Sequence, residues 1–338
     1  MLKIDVYNHL FTPRYFEEVN KLETLVVDLG KRVRNVPVLL DVEARLEMVE
    51  QFGDDYRQVL TMVAPGVESF AGPEQTPELA RIGNDELADY VDRYDRFVGF
   101  VAALPMNNPD AAVTEARRAI DELGATGVQF FTNVNGSALD HPDLVPLFEL
   151  MSRYDLPIWV HPIRGASMPD YADEERSKYE IWWTFGWPYE TSAMMARLVF
   201  GRYFDRFPNL KIITHHLGGM TPYFEGRVGP GMDQLGSRTT GEDYTVILDR
   251  LEKRPLDYFK MFYGDTAVFG SAPALRCGLE FFGPDHVLFA SDCPFDPEKG
   301  PGFIRETIKN LDEDLDLSDE VRQQIYEGNA KRMLRLDL

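Results

Sequence analysis

Asp285-His286-Val287-Leu288-Phe289-Ala290-Ser291-Asp292-Cys293-Pro294-Phe295 is an apolar run that halts at Ser-Asp, with a proline close behind. Such a run reads as a buried strand that stops abruptly. An aspartate at its end is badly placed for packing, because burying a charge is costly unless it is paired or binds a metal. In a barrel of parallel strands, the C-terminal strand ends are where chemistry sits. The competing reading is a helix cap or loop aspartate, common in any α/β protein. Asp292 by itself does not decide between them.

Outward from that stretch the same strand-then-helix pattern recurs along the chain. Strands are expected at 2–7, 57–64, 97–104, 127–131, 156–162, 210–214, 259–263 and 287–290. After the first comes a long connection, roughly to Pro37, and then a helix from Val42 to Phe52. Thr76-Pro77-Glu78 and Asn108-Pro109-Asp110 are helix starts, each with a cap residue and a proline in the first turn. Those two helices run to about Tyr94 and Leu123, and another spans Leu144 to Tyr154. An amphipathic helix follows from Ser192 to Phe207, with closing helices at 302–311 and 318–334. Eight strands alternating with helices predict a parallel sheet. No Gly-rich phosphate fingerprint follows the first strand, so a closed (β/α)8 TIM barrel is favoured over an open doubly wound sheet. An insertion, Arg164 to Tyr189, follows the fifth strand and holds Trp182, Trp183 and Trp187. It reads as a lid or a dimer contact, with the tryptophans packing rather than stacking on a ligand. No linker or repeat divides residues 1–338, which read as one domain.

The chain has 338 residues, 44% hydrophobic and 27% charged, ordinary values for a soluble globular protein. No stretch has the apolar length to cross a bilayer, and the N-terminus does not resemble a signal peptide. Two cysteines, Cys277 and Cys293, make no disulfide framework, so a reducing cytoplasm is the expected location. The 56 acidic against 35 basic residues give a net charge of -21. Such a surface repels nucleic acid and anionic membranes. It would repel a carboxylate substrate too, so an anion site here needs its own arginines or a metal.

His9, His161, His216 and Asp292 stand at the ends of the first, fifth, sixth and eighth expected strands. Barrel closure brings those ends to one face, within reach of a single ion. Imidazole and carboxylate suit Zn, Mn, Fe or Co. Each histidine alone reads as a hydrogen-bonded structural residue; four side chains at four strand ends weaken that reading. His141 and His286 are not so placed and are expected to be structural. His215 neighbours His216 but should point the opposite way in extended backbone, which gives it a supporting or packing role.

The pattern resembles the amidohydrolase superfamily, in its branch of decarboxylases typified by aminocarboxymuconate-semialdehyde and γ-resorcylate decarboxylases. The resemblance spans most of the chain. It is carried by Ile4-Asp5-Val6-Tyr7-Asn8-His9, by Val160-His161-Pro162, by Asn209 through Gly219 with Pro222-Tyr223 and Gly226-Arg227 behind, by Ser291 through Phe295, and by Gly328-Asn329-Ala330-Lys331-Arg332. The resemblance implies one divalent ion, Zn or Mn, held by His9, His161 and Asp292. It implies that His216 is a non-ligating catalytic histidine, and that Arg227 grips a substrate carboxylate with its planar fork. One position departs: where the family ends its first strand His-x-His or Glu-x-His, this chain has Tyr7-Asn8-His9. A neutral phenol is a poor ligand, with a pKa near 10. The ion would then be held by His9, His161 and Asp292 plus water, or Tyr7 would contact substrate instead, or the metal would be lost.

The resemblance implies a metal-dependent, non-oxidative decarboxylase of an aromatic or unsaturated carboxylic acid, with Asp292 as the expected proton donor to the ring carbon; the sequence shows no motif for an organic cofactor. Two alternatives remain at this stage. One is a metal-dependent hydrolase of a lactone, ester or amide; the other is a metal-free, non-catalytic barrel. The resemblance also implies a homodimer, with the insertion and the helix from Ser192 as contacts.

Overall fold

In the computed structural model, which describes residues 1–22, 33 and 35–338, the first strand, β1 (Lys3–Leu10), is buried along almost its whole length. It pairs in parallel with β2 (Tyr56–Met62), which pairs with β3 (Phe97–Phe100, continued by Ala102–Ala103). At Val101 the chain changes partner. Its N–H donates to Leu60 O at 2.9 Å, whereas the next N–H, of Ala102, donates to Gly127 O at 3.0 Å. From there the ladder runs in parallel through β4 (Val128–Phe131), β5 (Ile158–His161), β6 (Ile212–Thr214), β7 (Tyr263–Asp265) and β8 (Val287–Leu288). The circle closes on β1. Val6 N–H donates to Phe289 O (3.0 Å), Asp292 N–H to Tyr7 O (3.1 Å) and His9 N–H to Cys293 O (2.7 Å). Closure matters because it removes both sheet edges and gathers all strand C-termini at one mouth.

The outer layer includes α1 (Pro13–Lys21), α2 (Val42–Glu50), α3 (Thr76–Arg93), α4 (Pro109–Asp121), α5 (Val145–Tyr154), α6 (Gly186–Phe200), α7 (Ala272–Phe282) and α8 (Pro301–Lys309). Asp41 caps α2 by accepting from Glu43 and Ala44 N–H, and Asn108 caps α4 from Ala111 N–H. The barrel interior is filled by Ile4, Val6, Val59, Val101, Trp159, Ile213 and Leu288, with Met333 and Leu334 of the last helix, Asn329–Leu334, packed against them. Trp159 is the largest of these, and its indole N–H donates to Val6 O at 3.0 Å. The bulk of Trp159 explains Gly127 beside it. A side chain there would meet the Trp159 ring at 2.6 Å and the Pro157 carbonyl at 2.3 Å.

Several boundaries differ from the sequence reading. The seventh strand is Tyr263–Asp265, not 259–263, because Pro255–Phe259 is a short helix with proline and Asp257 in its first turn. The helix expected from Ser192 starts earlier, at Gly186, and ends at Phe200, after which Arg202 turns left-handed (φ 62°). Helices α1 and α7 have no counterpart in the sequence reading. The long connection expected after the first strand falls partly on residues 23–32 and 34, outside the described residues.

Beneath the mouth, a buried polar network fixes the strand carrying His9. The fully buried Arg45 donates to His9 O (2.6 Å), to Asn8 Oδ1 (2.5 Å) and to Gln58 Oε1 (2.8 Å). Asp5 accepts from the Tyr56 and Ser291 hydroxyls (both 2.5 Å), and from Tyr7 and Ser291 N–H. Burial pushes its carboxyl up to about 6, against those bonds. The network ties β1, β2 and the run after β8 together directly below the residues of the mouth.

Candidate active site

His9 lies in β1, His161 ends β5, and Asp265 ends β7. His215 and His216 follow β6, which stops at Thr214, and Asp292 follows β8. His216, Leu217 and Asp292 all have left-handed backbone (φ 60°, 55° and 60°). Non-glycine residues take that conformation at a cost of roughly 1–2 kcal/mol each, and such outliers concentrate at functional sites. Here the turn decides which way the histidines face. Strand alternation ends with Thr214, so His215 and His216 both reach the mouth, their rings stacked 3.8 Å apart. The expectation that His215 points away is therefore corrected.

The side chains converge. His9 Nε2 and His215 Nε2 lie 3.2 Å and 3.3 Å from the same oxygen, Asp292 Oδ1. Ligating atoms of His9, His161 and His215 all fall within 4.8 Å of one another, as do those of His215, His216 and Asp292. Each imidazole has its other nitrogen committed. His161 Nδ1 donates to Pro162 O (2.6 Å) and His216 Nδ1 to Ala267 O (2.7 Å). Carbonyls only accept, so both rings carry their proton on Nδ1 and a lone pair on Nε2. His9 Nδ1 faces Thr61 Oγ1 (3.1 Å), whose own proton goes to Asn8 O. His215 Nδ1 faces Asp265 Oδ2 at 2.6 Å, and Asp265 Oδ1 also accepts from His216 N–H and Ala267 N–H.

The electrostatics match a cation site. Burial holds the His161 imidazole well below its usual pKa, helped by the neighbouring histidines, and lowers His216 to about 4. His9 is lowered by burial, with Asp292 opposing. Burial alone would lower His215, but the Asp265 and Asp292 carboxylates outweigh it and lift the ring to about 9. Burial would likewise raise Asp292, yet its hydrogen bond with His215 and the close approach of His9 bring it well below the usual carboxylate range. Although His9 Nε2 is close to Asp292 Oδ1, it lacks the alignment of a hydrogen bond and is otherwise unpartnered. A buried lone pair facing a carboxylate oxygen is a donor arrangement that a divalent cation satisfies. The residues present fit one.

A cavity of about 470 Å³ opens above the cluster, with His161 and Asp292 in its wall. Its sides are aromatic. Trp182, Trp183, Trp187, Phe269 and Phe295 line it, and the three tryptophans pack together as one cluster as they do so. Trp187 meets His161 edge-on at 5.1 Å, and Phe269 lies 5.1 Å from His216. Glu180, Asp292 and Asp296 also line the cavity, with Lys299 as the cation among its described lining residues. Without a metal, such a lining would repel an anion.

Two residues expected from sequence to contact substrate, Tyr7 and Arg227, are not among the described residues that line this cavity. Tyr7 is fully buried and lines no part of the cavity. It lies under the cluster, stacked 4.0 Å from the His215 ring, and burial with the Asp265 and Asp292 charges keeps its phenol protonated. Arg227 is exposed, sits 5.4 Å over the Phe224 ring and stands outside the cavity. It belongs to a wide helical turn, Arg227–Gly231. Asp265 is the residue that sequence reasoning passed over; Gly264-Asp265 at a strand end was the available signal. His141 is exposed, and His286 packs on Tyr263 at 4.3 Å, both away from the cluster.

One further buried acid has a measurable consequence. Glu68, in the turn Val67–Ser69 after β2, is buried with Oε2 unpartnered, and burial pushes its carboxyl up from 4.5 to about 7. A carboxyl with a raised folded pKa adds stability that is complete below the unfolded pKa and disappears as pH rises through the folded one. Stability should thus decline between pH 4.5 and about 7, by up to about 3 kcal/mol at about 1.36 kcal/mol per unit. In chemical denaturation at a series of pH values, Glu68→Gln flattens this slope. Parallel wild-type and variant profiles would contradict the assignment.

Comparison with known proteins gives consistent relatives. The amidohydrolase family pattern matches residues 4–336. The chain is 30% identical over 299 residues to 2-amino-3-carboxymuconate-6-semialdehyde decarboxylase of Dictyostelium discoideum, covering 88% of this chain and 77% of that one. It is 30% identical over 323 residues to gamma-resorcylate decarboxylase of Polaromonas sp. (strain JS666), covering 88% and 89%. Among solved structures, dihydroxybenzoic acid decarboxylase from Polaromonas sp. JS666, with bound manganese and the inhibitor 2-nitroresorcinol, superimposes with a TM-score of 0.78. That match has 26% identity and covers 100% of this chain and 98% of that one.

Proposed function

Because the chain belongs to the amidohydrolase family, we propose that it is a metal-dependent, non-oxidative decarboxylase of a hydroxybenzoate-like aromatic acid. The observation that carries this reading is the convergence of imidazole nitrogens and Asp292 on one point at the base of an aromatic-walled cavity. Manganese in the dihydroxybenzoic acid decarboxylase supports one divalent ion here, zinc or manganese, with His9, His161 and Asp292 among its ligands. When bound, that ion supplies a Lewis acid for the carboxylate and an ortho hydroxyl of the substrate.

The chain's own residues do the rest. Trp183, Trp187 and Phe269 form a slot suited to a flat ring and exclude water from it. His216 has a free Nε2 lone pair and an Nδ1 pinned to Ala267 O. It takes the hydroxyl proton of the substrate and passes it to Asp292. Asp292, ionised at rest, accepts that proton and delivers it to the ring carbon bearing the carboxylate. The protonated ring draws in the electron pair of the C–CO2 bond, CO2 departs, and the phenolate left behind takes a proton from solvent, the one proton that the net reaction consumes. No organic cofactor enters the scheme.

Supplying a panel of ortho-hydroxybenzoates, and in parallel a panel of lactones and esters, tests the assignment. CO2 release with loss of the substrate spectrum is expected from the first panel. Ring opening of a lactone with no CO2 from any hydroxybenzoate would replace the decarboxylase by a hydrolase.

The whole chain is proposed to act as one barrel domain, in the cytoplasm, where its unpaired Cys277 and Cys293 are at home. No helix among the described residues is long and apolar enough to cross a membrane. A homodimer is proposed through the insertion, where Tyr171, Tyr179, Phe185 and Tyr189 are all exposed, Tyr179 to 90%. Phe185→Asp should weaken self-association by roughly 10–100-fold, the equivalent of losing one buried aromatic side chain at about 1.5–3 kcal/mol. Sedimentation showing a monomeric wild type at micromolar concentration would contradict the dimer.

A further inference from the structure

The geometry points to His215 as a direct ligand of the metal ion, and we infer that it takes the place that Tyr7 leaves empty. This inference rests on the metal reading above and adds a residue that the sequence assigned elsewhere. Tyr7 occupies the first-strand position where a ligand would be expected, but its phenol is fully buried, 3.5 Å from Gln129 Nε2. Directly above its ring, 4.0 Å away and nearly parallel, lies the His215 imidazole. The tyrosine thus serves as a platform that sets the height of His215.

Three features make His215 a ligand rather than packing. His215 belongs to a buried triplet with His9 and His161, one ligating nitrogen from each lying within 4.8 Å of the others. Its 3.3 Å separation from Asp292 Oδ1, like the 3.2 Å of His9, matches the roughly 3.0–3.5 Å between neighbouring ligands around an ion with bonds of about 2.0–2.2 Å. Finally, Nδ1 is held by Asp265 Oδ2 at 2.6 Å, the carboxylate–histidine arrangement that orients metal-bound imidazoles. Asp265 is itself held by two backbone N–H groups, so the orientation is fixed before any ion arrives. The competing role is an imidazolium bridging Asp265 and Asp292. It requires a proton on Nε2, and a ligand cannot carry one there.

Two measurements separate these roles. In crystals of the wild-type protein loaded with Zn2+, the anomalous peak should lie within about 2.0–2.3 Å of His215 Nε2. A peak on His9, His161 and Asp292 but beyond about 3 Å from His215 overturns the inference and leaves the metal reading intact. A wild-type protein that binds no divalent ion overturns both. In solution, His215→Ala should weaken metal binding by more than about 100-fold, exceeding the effect of removing a supporting partner. Adding Tyr7→His to His215→Ala should recover most of that loss by returning an imidazole to the first strand. Unchanged affinity in folded His215→Ala would overturn the assignment. If that variant does not fold, the wild-type crystal decides.

Discussion

Asp292→Asn should abolish CO2 release while leaving the barrel folded. The substitution keeps size and hydrogen-bonding capacity but removes the carboxylate that His9 and His215 share and the atom proposed to place a proton on the ring. Proton transfer from a positioned side chain contributes about 10²–10⁴-fold, or about 3–5.5 kcal/mol of barrier at about 1.36 kcal/mol per decade. The loss should fall on kcat. A nitro-substituted phenol that mimics the substrate should still enter the aromatic slot, so its Kd should change less than turnover does. Substantial turnover in the asparagine variant would remove Asp292 from the proton path.

His161→Ala should strip metal and activity together. His161 is 2% exposed at the end of β5, and its Nδ1 is occupied by Pro162 O, so Nε2 is the atom it offers. Losing one protein ligand from a small donor set leaves a weak, open site, and the expected fall in affinity exceeds the roughly 10–100-fold seen for supporting partners. Elemental analysis beside rate measurement checks this. A fully metallated, active His161→Ala protein would count decisively against the ligand assignment. Trp187, edge-on to His161, would then have a cavity beside it, so a modest loss of thermal stability is expected as well.

The barrel was legible because its signals are local and repeated. Short apolar runs ending in His or Asp, separated by capped helices, require only nearest neighbours in sequence to be read. His9, His161 and Asp292 could be selected because strand ends share a face whatever the loops do. His215 could not. Its direction depends on where β6 stops and on left-handed backbone at His216 and Leu217, and neither follows from side-chain periodicity. The position of Arg227, outside the cavity, was hidden for a related reason. Its motif follows closely after the site histidines in sequence, yet the turn from Phe224 to Gly231 carries it out to solvent. That the packed tryptophans also wall the cavity was not legible, because an aromatic-rich insertion looks alike from sequence whether it covers a core or walls a cavity. The seventh strand slipped because Phe259 and Phe262, both buried, fit a strand as well as a helix and its exit.

The acidic charge of the chain sharpens the role of the ion. With a net charge of -21 and three carboxylates on the cavity wall, an aromatic acid is drawn in only if a local cation outweighs them. The most direct measurement is therefore a titration: strip the protein with a chelator, return Mn2+ or Zn2+ in steps, and record CO2 release from the best hydroxybenzoate at each step. The account predicts no turnover in the stripped protein and a linear rise that saturates at one ion per chain. Full turnover by metal-free protein would contradict it.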